Sequence, residues 1–376
     1  MGKELKVALA HDFLNQWGGA ERVTQLFHEI YPQADIFTTT YDSEKVTEFA
    51  GKNVITSFIQ RLPRGKTNYK WYLALMPKAI ESLDFSGYDL VLSDSSGFMK
   101  GIRVPKTALH VCYMHTTTRY LTVDADYFRY TAPKITWPIV PFLFAYLKRK
   151  DKQGALSPDV IIANSEETKR RIETWYERKV DEVIFPPVDT KHFYRKSSDK
   201  VEDYYLTASR LVPYKRVDLA IHACNALGRR LIVMSSGPDE AALKAIAGPT
   251  IEFTGKVTDE EMRKLFANCK AMIFPPLEDA GMTPLEAMAC GRPVLAYGKG
   301  GVLESITEGV SGLFFKEQTP EAIIELITKF EAHPLDSEKE IAAIMAAAEA
   351  FSAHNFKRKI QTLVNQALTA RNHKGE

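Results

Sequence analysis

The sequence predicts an α/β protein built from two Rossmann-like domains, each a parallel sheet covered by helices. Short continuous apolar runs alternate with helical segments, which suits strands buried on both faces. The alternation occurs twice, before and after a proline pair at Pro186-Pro187. The length of 376 residues suits two or three domains, each with its own core.

The first series begins with Leu5-Lys6-Val7-Ala8-Leu9-Ala10 as a buried strand, followed by a glycine loop and a helix from about Ala20 to Tyr31. Further strands are expected at Tyr88–Ser93, Thr107–Tyr113 and Val160–Asn164, and a last one at Val183–Asp189 that runs into a rigid linker. The second series has strands at Tyr204–Ala208, Arg230–Met234, Ile251–Phe253, Ala271–Phe274 and Pro293–Ala296. Helices over about Glu338–Ala350 and Phe356–Ala370 close the chain. The expected domains are 1–188, completed by a C-terminal helix over about 354–376, and 189–353. Ligands of open α/β sheets bind at the carboxyl ends of the strands, so the two halves are expected to face each other across a cleft there.

Composition narrows the function. Hydrophobic content of 45% and charged content of 26% are those of a soluble globular protein, and a net charge of +2 gives no nucleic-acid signal. Cys112, Cys224, Cys269 and Cys290 form neither a metal-ligand pattern nor a disulfide framework, which predicts a reducing cytoplasm. No signal peptide or membrane-spanning run is evident in the sequence.

The most informative stretch is Glu278-Asp279-Ala280-Gly281-Met282-Thr283-Pro284-Leu285-Glu286, with two glutamates eight residues apart. Thr283 is the expected N-cap of a helix with Pro284 at its first position. That places the free N–H groups of Gly281, Met282 and Thr283 at a positive helix end, where phosphate binds. Glu278 is then free to reach a neutral polyol such as a sugar, and Glu286 sits in the first turn. Thr283-x-x-Glu286 also matches a capping box, so the motif alone leaves a purely structural glutamate open.

Three other motifs follow strand ends. In Ser209-Arg210-Leu211-Val212-Pro213-Tyr214-Lys215-Arg216, Arg210 and Lys215 suit a diphosphate, the first as a fork of donors and the second as a point charge. A solvated basic turn fits the same residues. Gly18-Gly19 precedes a helix and permits close backbone approach, or forms a plain turn. It is not G-x-G-x-x-G, and no acidic residue ends a clear second strand, so a dinucleotide site is not supported. His115, beside threonines and Arg119, sits where a cleft is expected, although a structural histidine fits there too. Asp124-Ala125-Asp126 spells a metal-binding D-x-D but lacks a preceding strand, and is read as incidental.

Ser57–Ile80 carries Arg61, Arg64, Lys66, Lys70 and Lys78 with no acidic residue, interleaved with aromatics. Ile135–Lys152 adds Trp137, Phe142, Phe144 and Tyr146 before Lys148-Arg149-Lys150. Such segments suit an anionic membrane surface, and equally amphipathic helices packed on the sheet.

Together these motifs resemble the family 4 glycosyltransferases, retaining enzymes of the GT-B fold, with a likeness that covers nearly the whole chain. It is strongest from Ser209 to Glu304, where S-R-L-x-x-x-K-R, the E-x7-E unit and Gly298-Lys299-Gly300-Gly301-x-x-Glu304 occur in order. The similarity is closest to mannosyltransferase-like enzymes of bacterial surface polysaccharide assembly. The resemblance implies that Arg210 and Lys215 hold the donor diphosphate, Glu278 the hydroxyls of the donor sugar and Glu286 the nucleotide ribose. The N–H groups of Gly281, Met282 and Thr283 would contact phosphate and sugar. His115 would meet the sugar, Gly18-Gly19 would lie near the phosphates and acceptor, and the last helix would return to the first domain. Ala280 departs from the family pattern, which has phenylalanine there, so the resemblance leaves sugar preference open.

The expected function is therefore transfer of a hexose, mannose from GDP-mannose, with retention and without a metal or other cofactor. The expected acceptor is a glycan or a polyprenyl-diphosphate-linked glycan, with peripheral contact to the inner face of the cell membrane from the cytoplasm. The competing expectations are a UDP-sugar-dependent transferase, a nucleotide-sugar epimerase, and a catalytically silent nucleotide-sugar-binding scaffold.

Overall fold

The computed structural model describes residues 5–122 and 140–373. Asp124-Ala125-Asp126, Ile135 and Trp137 lie outside the described residues. The chain divides into two compact units, Met1–Phe185 with Phe356–Glu376, and Pro186–Asn355.

The first unit holds a seven-stranded sheet, all of its ladders parallel. Its strands are β1 (Val7–His11), β2 (Asp35–Thr38), β3 (Val54–Thr56), β4 (Leu90–Ser95), β5 (Leu109–Met114), β6 (Val160–Ala163) and β7 (Glu182–Val183). They run in the order β3-β2-β1-β4-β5-β6-β7. The order reverses between β1 and β4, so a crevice opens at their carboxyl ends. One face packs the helix Gly19–Ile30 and part of the helix Ala353–Asn372. There Phe27, Tyr113 and Phe356 form an aromatic core, with Phe27 and Phe356 stacked at 6.0 Å. The other face buries Phe37, Ile80, Phe85, Val91 and Leu147.

The second unit holds a six-stranded parallel sheet. It contains β8 (Tyr205–Ala208), β9 (Leu231–Met234), β10 (Ile251–Gly255), β11 (Ala271–Phe274), β12 (Val294–Tyr297) and β13 (Gly312–Phe315). Its order is β10-β9-β8-β11-β12-β13, so the reversal falls between β8 and β11.

The expected two-sheet α/β architecture is present, with corrections in detail. β2, β3 and β13 are additional to the strands expected from sequence, being short and lacking long apolar runs. β2 begins with Asp35 and ends at Thr38, so no acidic residue stands at its carboxyl end. The expected strand Val183–Asp189 shrinks to Glu182–Val183, because Pro186 and Pro187 have no N–H to give a ladder. All four cysteines are buried and unpaired.

Candidate functional site

In the second unit the two motif loops leave the carboxyl ends of β8 and β11, the adjacent strands at the sheet's reversal. Ser209–Arg216 leaves β8, and Pro275–Gly281 leaves β11. The ammonium of Lys215 and the carboxylate of Glu278 meet in an ion pair, with side chains 14% and 20% exposed. Glu278 is therefore not free, as the sequence suggests, but already holds a cation. Arg210 is exposed on the same loop as Lys215. The Oγ of Ser209, just before it, is buried and has no hydrogen-bond partner among the described residues.

The glycines of the Gly298–Gly301 loop explain how Glu278 is held. Gly300 has φ +79°, and a Cβ on it would lie 2.4 Å from the Glu278 carbonyl oxygen. A Cβ on Gly301 would lie 2.1 Å from the Asp279 carbonyl oxygen, and the Gly301 N–H donates to the Glu278 carbonyl at 3.0 Å. Only glycines let these two loops lie backbone to backbone.

The helix after Gly281 starts earlier than expected. It spans Met282–Ala289 with Gly281 as N-cap at φ 75°, ψ 90°, a residue with no side chain to cap it. The capping box is thus not formed. Gly281 can take the positive φ that turns the chain into the helix, and Pro284 falls third in the helix, where its missing N–H leaves no bond unmade. The first N–H groups of this helix, with those of Met282 and Thr283 among them, have no intrahelical acceptor and carry the positive end of its dipole. Glu286 is the fifth helical residue, in the second turn rather than the first, and is buried at 6% exposure.

The first unit contains a second cluster, only part of which is legible in the sequence. His115 directly follows β5, and its Nε2 lies 3.0 Å from Asp94 Oδ1. His11 Nδ1 approaches the same oxygen at 2.5 Å, and Thr24 donates its hydroxyl to Asp94 Oδ2 at 2.7 Å. His11 Nε2 faces Glu21 Oε1 at 3.7 Å. Glu21 stands in the first turn of the helix that Gly18 caps and Gly19 begins. The glycine pair and His115 are thereby linked through Glu21, His11 and Asp94.

Burial works against charge on His11, but the Asp94 and Glu21 carboxylates outweigh it and hold the pKa well above 6.5. Burial likewise disfavours ionised Asp94, yet His11 and His115 hold its pKa below the usual carboxylate range. Asp94 and His11 thus form a buried ion pair. His11 and Asp94 are register partners across β1 and β4, which is why residues 83 apart in sequence share a hydrogen bond.

The loops around this cluster are fixed by buried polar bonds. The Asp12 carboxylate accepts from the N–H groups of Ser96 and Gly97, both at 2.7 Å, and of Met99 at 2.8 Å. Buried Lys100 binds Thr118 Oγ1 at 2.9 Å and Asp151 Oδ1 at 2.5 Å, and Tyr176 donates to Asp151 Oδ2 at 2.7 Å. These bonds join the loop after β4 to the loop that carries His115.

Residues 189–349 match the family described as Glycosyl transferases group 1, and residues 17–192 match Glycosyltransferase Family 4. Human Alpha-1,3/1,6-mannosyltransferase ALG2 is 26% identical over 220 residues, which are 50% of this chain and 53% of that protein. The D-inositol 3-phosphate glycosyltransferase of Frankia alni is 25% identical over 240 residues, 56% of this chain and 59% of that protein. The chain thus spans little more than half the length of these curated relatives. Among solved structures, sucrose-phosphate synthase from Thermosynechococcus elongatus superposes with a TM-score of 0.73 at 16% identity, over 97% of this chain and 100% of that one. Anabaena Alr3699/HepE in complex with UDP-glucose gives a TM-score of 0.70 at 17% identity, over 96% and 99%. These likenesses establish a shared fold.

Proposed function

This chain belongs to the family 4 glycosyltransferases of GT-B fold, and from that membership we propose that it transfers a hexose from a nucleotide sugar to a glycan. The donor we propose is GDP-mannose, and the acceptor a glycan or a polyprenyl-diphosphate-linked glycan. The observation that carries the reading is the pairing of Lys215 with Glu278 beside a helix start whose first N–H groups have no intrahelical acceptor. A diphosphate needs the cations and the helix end, and sugar hydroxyls need the carboxylate.

In the proposed reaction the bond between the anomeric carbon and the phosphate oxygen breaks while the acceptor hydroxyl bonds to that carbon from the same side. The departing phosphate takes the acceptor's proton, and configuration is retained. Arg210, Lys215 and the N–H groups of Gly281, Met282 and Thr283 stabilise the charge that grows on the diphosphate. That set of positive groups supports a reaction without a metal. Glu278 orients the sugar, Glu286 binds the ribose, and His115 acts on the transferred sugar. Gly18 and Gly19 lie close to the phosphates and acceptor in this reading. Exposed basic and aromatic residues, among them Lys70, Trp71, Phe142, Lys148 and Arg149, support peripheral contact with an anionic membrane. Among the described residues no helix is long and apolar enough to cross a membrane.

A UDP-sugar donor is the second reading, favoured by the fold shared with a protein solved with UDP-glucose. Calorimetric titration with GDP, UDP, GDP-mannose and UDP-glucose separates the two. Binding of the guanosine pair alone, weakened in Arg210→Ala, supports GDP-mannose. Binding of the uridine pair alone overturns it, and no nucleotide binding by folded protein overturns the transferase reading.

A further inference from the structure

Asp94 has no role in the reading above, yet both His11 and His115 contact its carboxylate. Resting on the assignment of His115 to the transferred sugar, we propose that Asp94 is a positioning residue. It takes the Nε2 proton of His115 and so fixes the ring with Nδ1 as the acceptor offered to a sugar hydroxyl, while His11 keeps the carboxylate ionised.

The geometry supports each part. An ionised carboxylate only accepts, so the Nε2 atom at 3.0 Å must carry the proton, and a neutral imidazole then leaves Nδ1 unprotonated. Asp94 Oδ2 is occupied by the Thr24 hydroxyl, which stops the carboxylate rotating away. The Asp94 side chain is 1% exposed, so water cannot stabilise its charge and the compensating cation must come from the protein. His11, 4% exposed, supplies it through Nδ1 and directs its other nitrogen to Glu21. Among the described residues, Tyr113 and Cys112 on β5 also sense the Asp94 charge, both buried and both held protonated by burial. Without His11, Asp94 would take up a proton at higher pH, become a donor, and release the His115 ring from its tautomer.

The test combines nitrogen-15 NMR of histidine-labelled full-length protein with release of GDP from GDP-mannose, water serving as acceptor. The expected spectrum at pH 7.5 shows His115 protonated at Nε2 and bare at Nδ1, and Asp94→Asn abolishes that preference. In Asp94→Asn, kcat is expected to fall about a hundredfold with donor KM within about threefold. Where Asp94→Asn does not fold, His11→Gln serves. It is expected to move the acid limb of the pH–rate profile upward by at least one pH unit, a shift that a merely structural role would not produce. A His115 ring protonated at Nδ1, or an unmoved acid limb in His11→Gln, overturns the proposal. The spectrum needs no donor. A wild type that releases nucleotide from neither GDP-mannose nor UDP-glucose overturns the functional reading, while the ring assignment still stands or falls on the tautomer.

Discussion

Lys215 and Glu278, each assigned to a different part of a nucleotide sugar, hold one another in an ion pair at the carboxyl ends of β8 and β11. In the proposed reading, the donor meets these two groups while each already holds the other, so the diphosphate and Glu278 share Lys215. Both side chains are mostly buried, so the pair is screened less than a surface salt bridge. Glu278→Gln frees the lysine and removes a negative charge beside the proposed diphosphate position. The expectation is that GDP alone binds about three- to tenfold tighter, a gain on the order of 1 kcal/mol, while transfer falls at least about a hundredfold. Calorimetry with GDP checks the first part, and weaker GDP binding by this variant would show that Glu278 does not compete for Lys215.

The loop contact behind Glu278 makes a second prediction. A methyl on Gly301 would collide with the Asp279 carbonyl and, at 2.6 Å, with Ala280 Cα, neither of which can rotate away. Gly301→Ala is expected to cost about 1–3 kcal/mol of stability and to weaken donor binding by displacing the Glu278 loop. Urea unfolding and the donor titration read the two effects. An unchanged donor affinity would mean that the glycine loop does not place Glu278.

A third prediction concerns acid stability. His110 is buried, its Nε2 2.8 Å from Ser93 Oγ, and burial pushes its pKa down from 6.5 to about 4. The unfolded chain takes up this proton first as pH falls, so stability is full above about pH 6.5 and declines from there toward about pH 4. The decline amounts to about 3 kcal/mol across the window. His11 has the opposite sign: its raised pKa stabilises below 6.5 and is lost only as pH rises through the raised value. It therefore adds no slope in the acid window. Urea titrations at pH 6.5 and pH 4.5 should show a smaller difference for His110→Gln than for the wild type. Equal differences would leave the acid slope to other groups.

A fourth prediction tests the proposed membrane contact. Trp71 is 65% exposed and Phe142 78%. Their segments pack into one core cluster through Tyr69, Tyr72, Leu143 and Phe144. The protein is expected to float with phosphatidylglycerol vesicles at low salt. Trp71→Ser with Phe142→Ser should reduce the floated fraction several-fold. No flotation at low salt would rule out this surface as an anionic-lipid contact.

The loops of the second unit are legible in the sequence because their chemistry lies in contiguous motifs. Arg210 and Lys215 follow one strand, and Glu278 and Gly281 follow another. Long apolar runs such as Ala271–Phe274 mark their strands, whereas Val54–Thr56 is too short to carry a period. The helix start differs from expectation because Thr283-Pro284 offers strong capping residues, while the turn into the helix is set by Gly281 at positive φ. His11 and Asp94 are hidden for another reason. Their contact depends on the register of β1 against β4, which no local pattern encodes. The available signal is polar residues ending apolar strands, His11-Asp12 after Val7–Ala10 and Ser93-Asp94-Ser95 after Leu90–Leu92.

The packing of Phe356, Ile360 and Val364 into the core of the first unit reverses the order in which the chain can mature on the ribosome. The first unit is made first, yet its aromatic core lacks a wall until residues beyond Asn355 emerge. Residues 186–355 must be translated in between. At about 5–20 residues per second that delay is roughly ten to thirty seconds. The second unit is continuous in sequence and can fold within that interval. Nascent chains halted before residue 356 should therefore carry a protease-resistant second unit and an open first one, as limited digestion of stalled ribosome complexes would report. Synthesis of the last helix then acts as the release step for the half of the protein that holds His115.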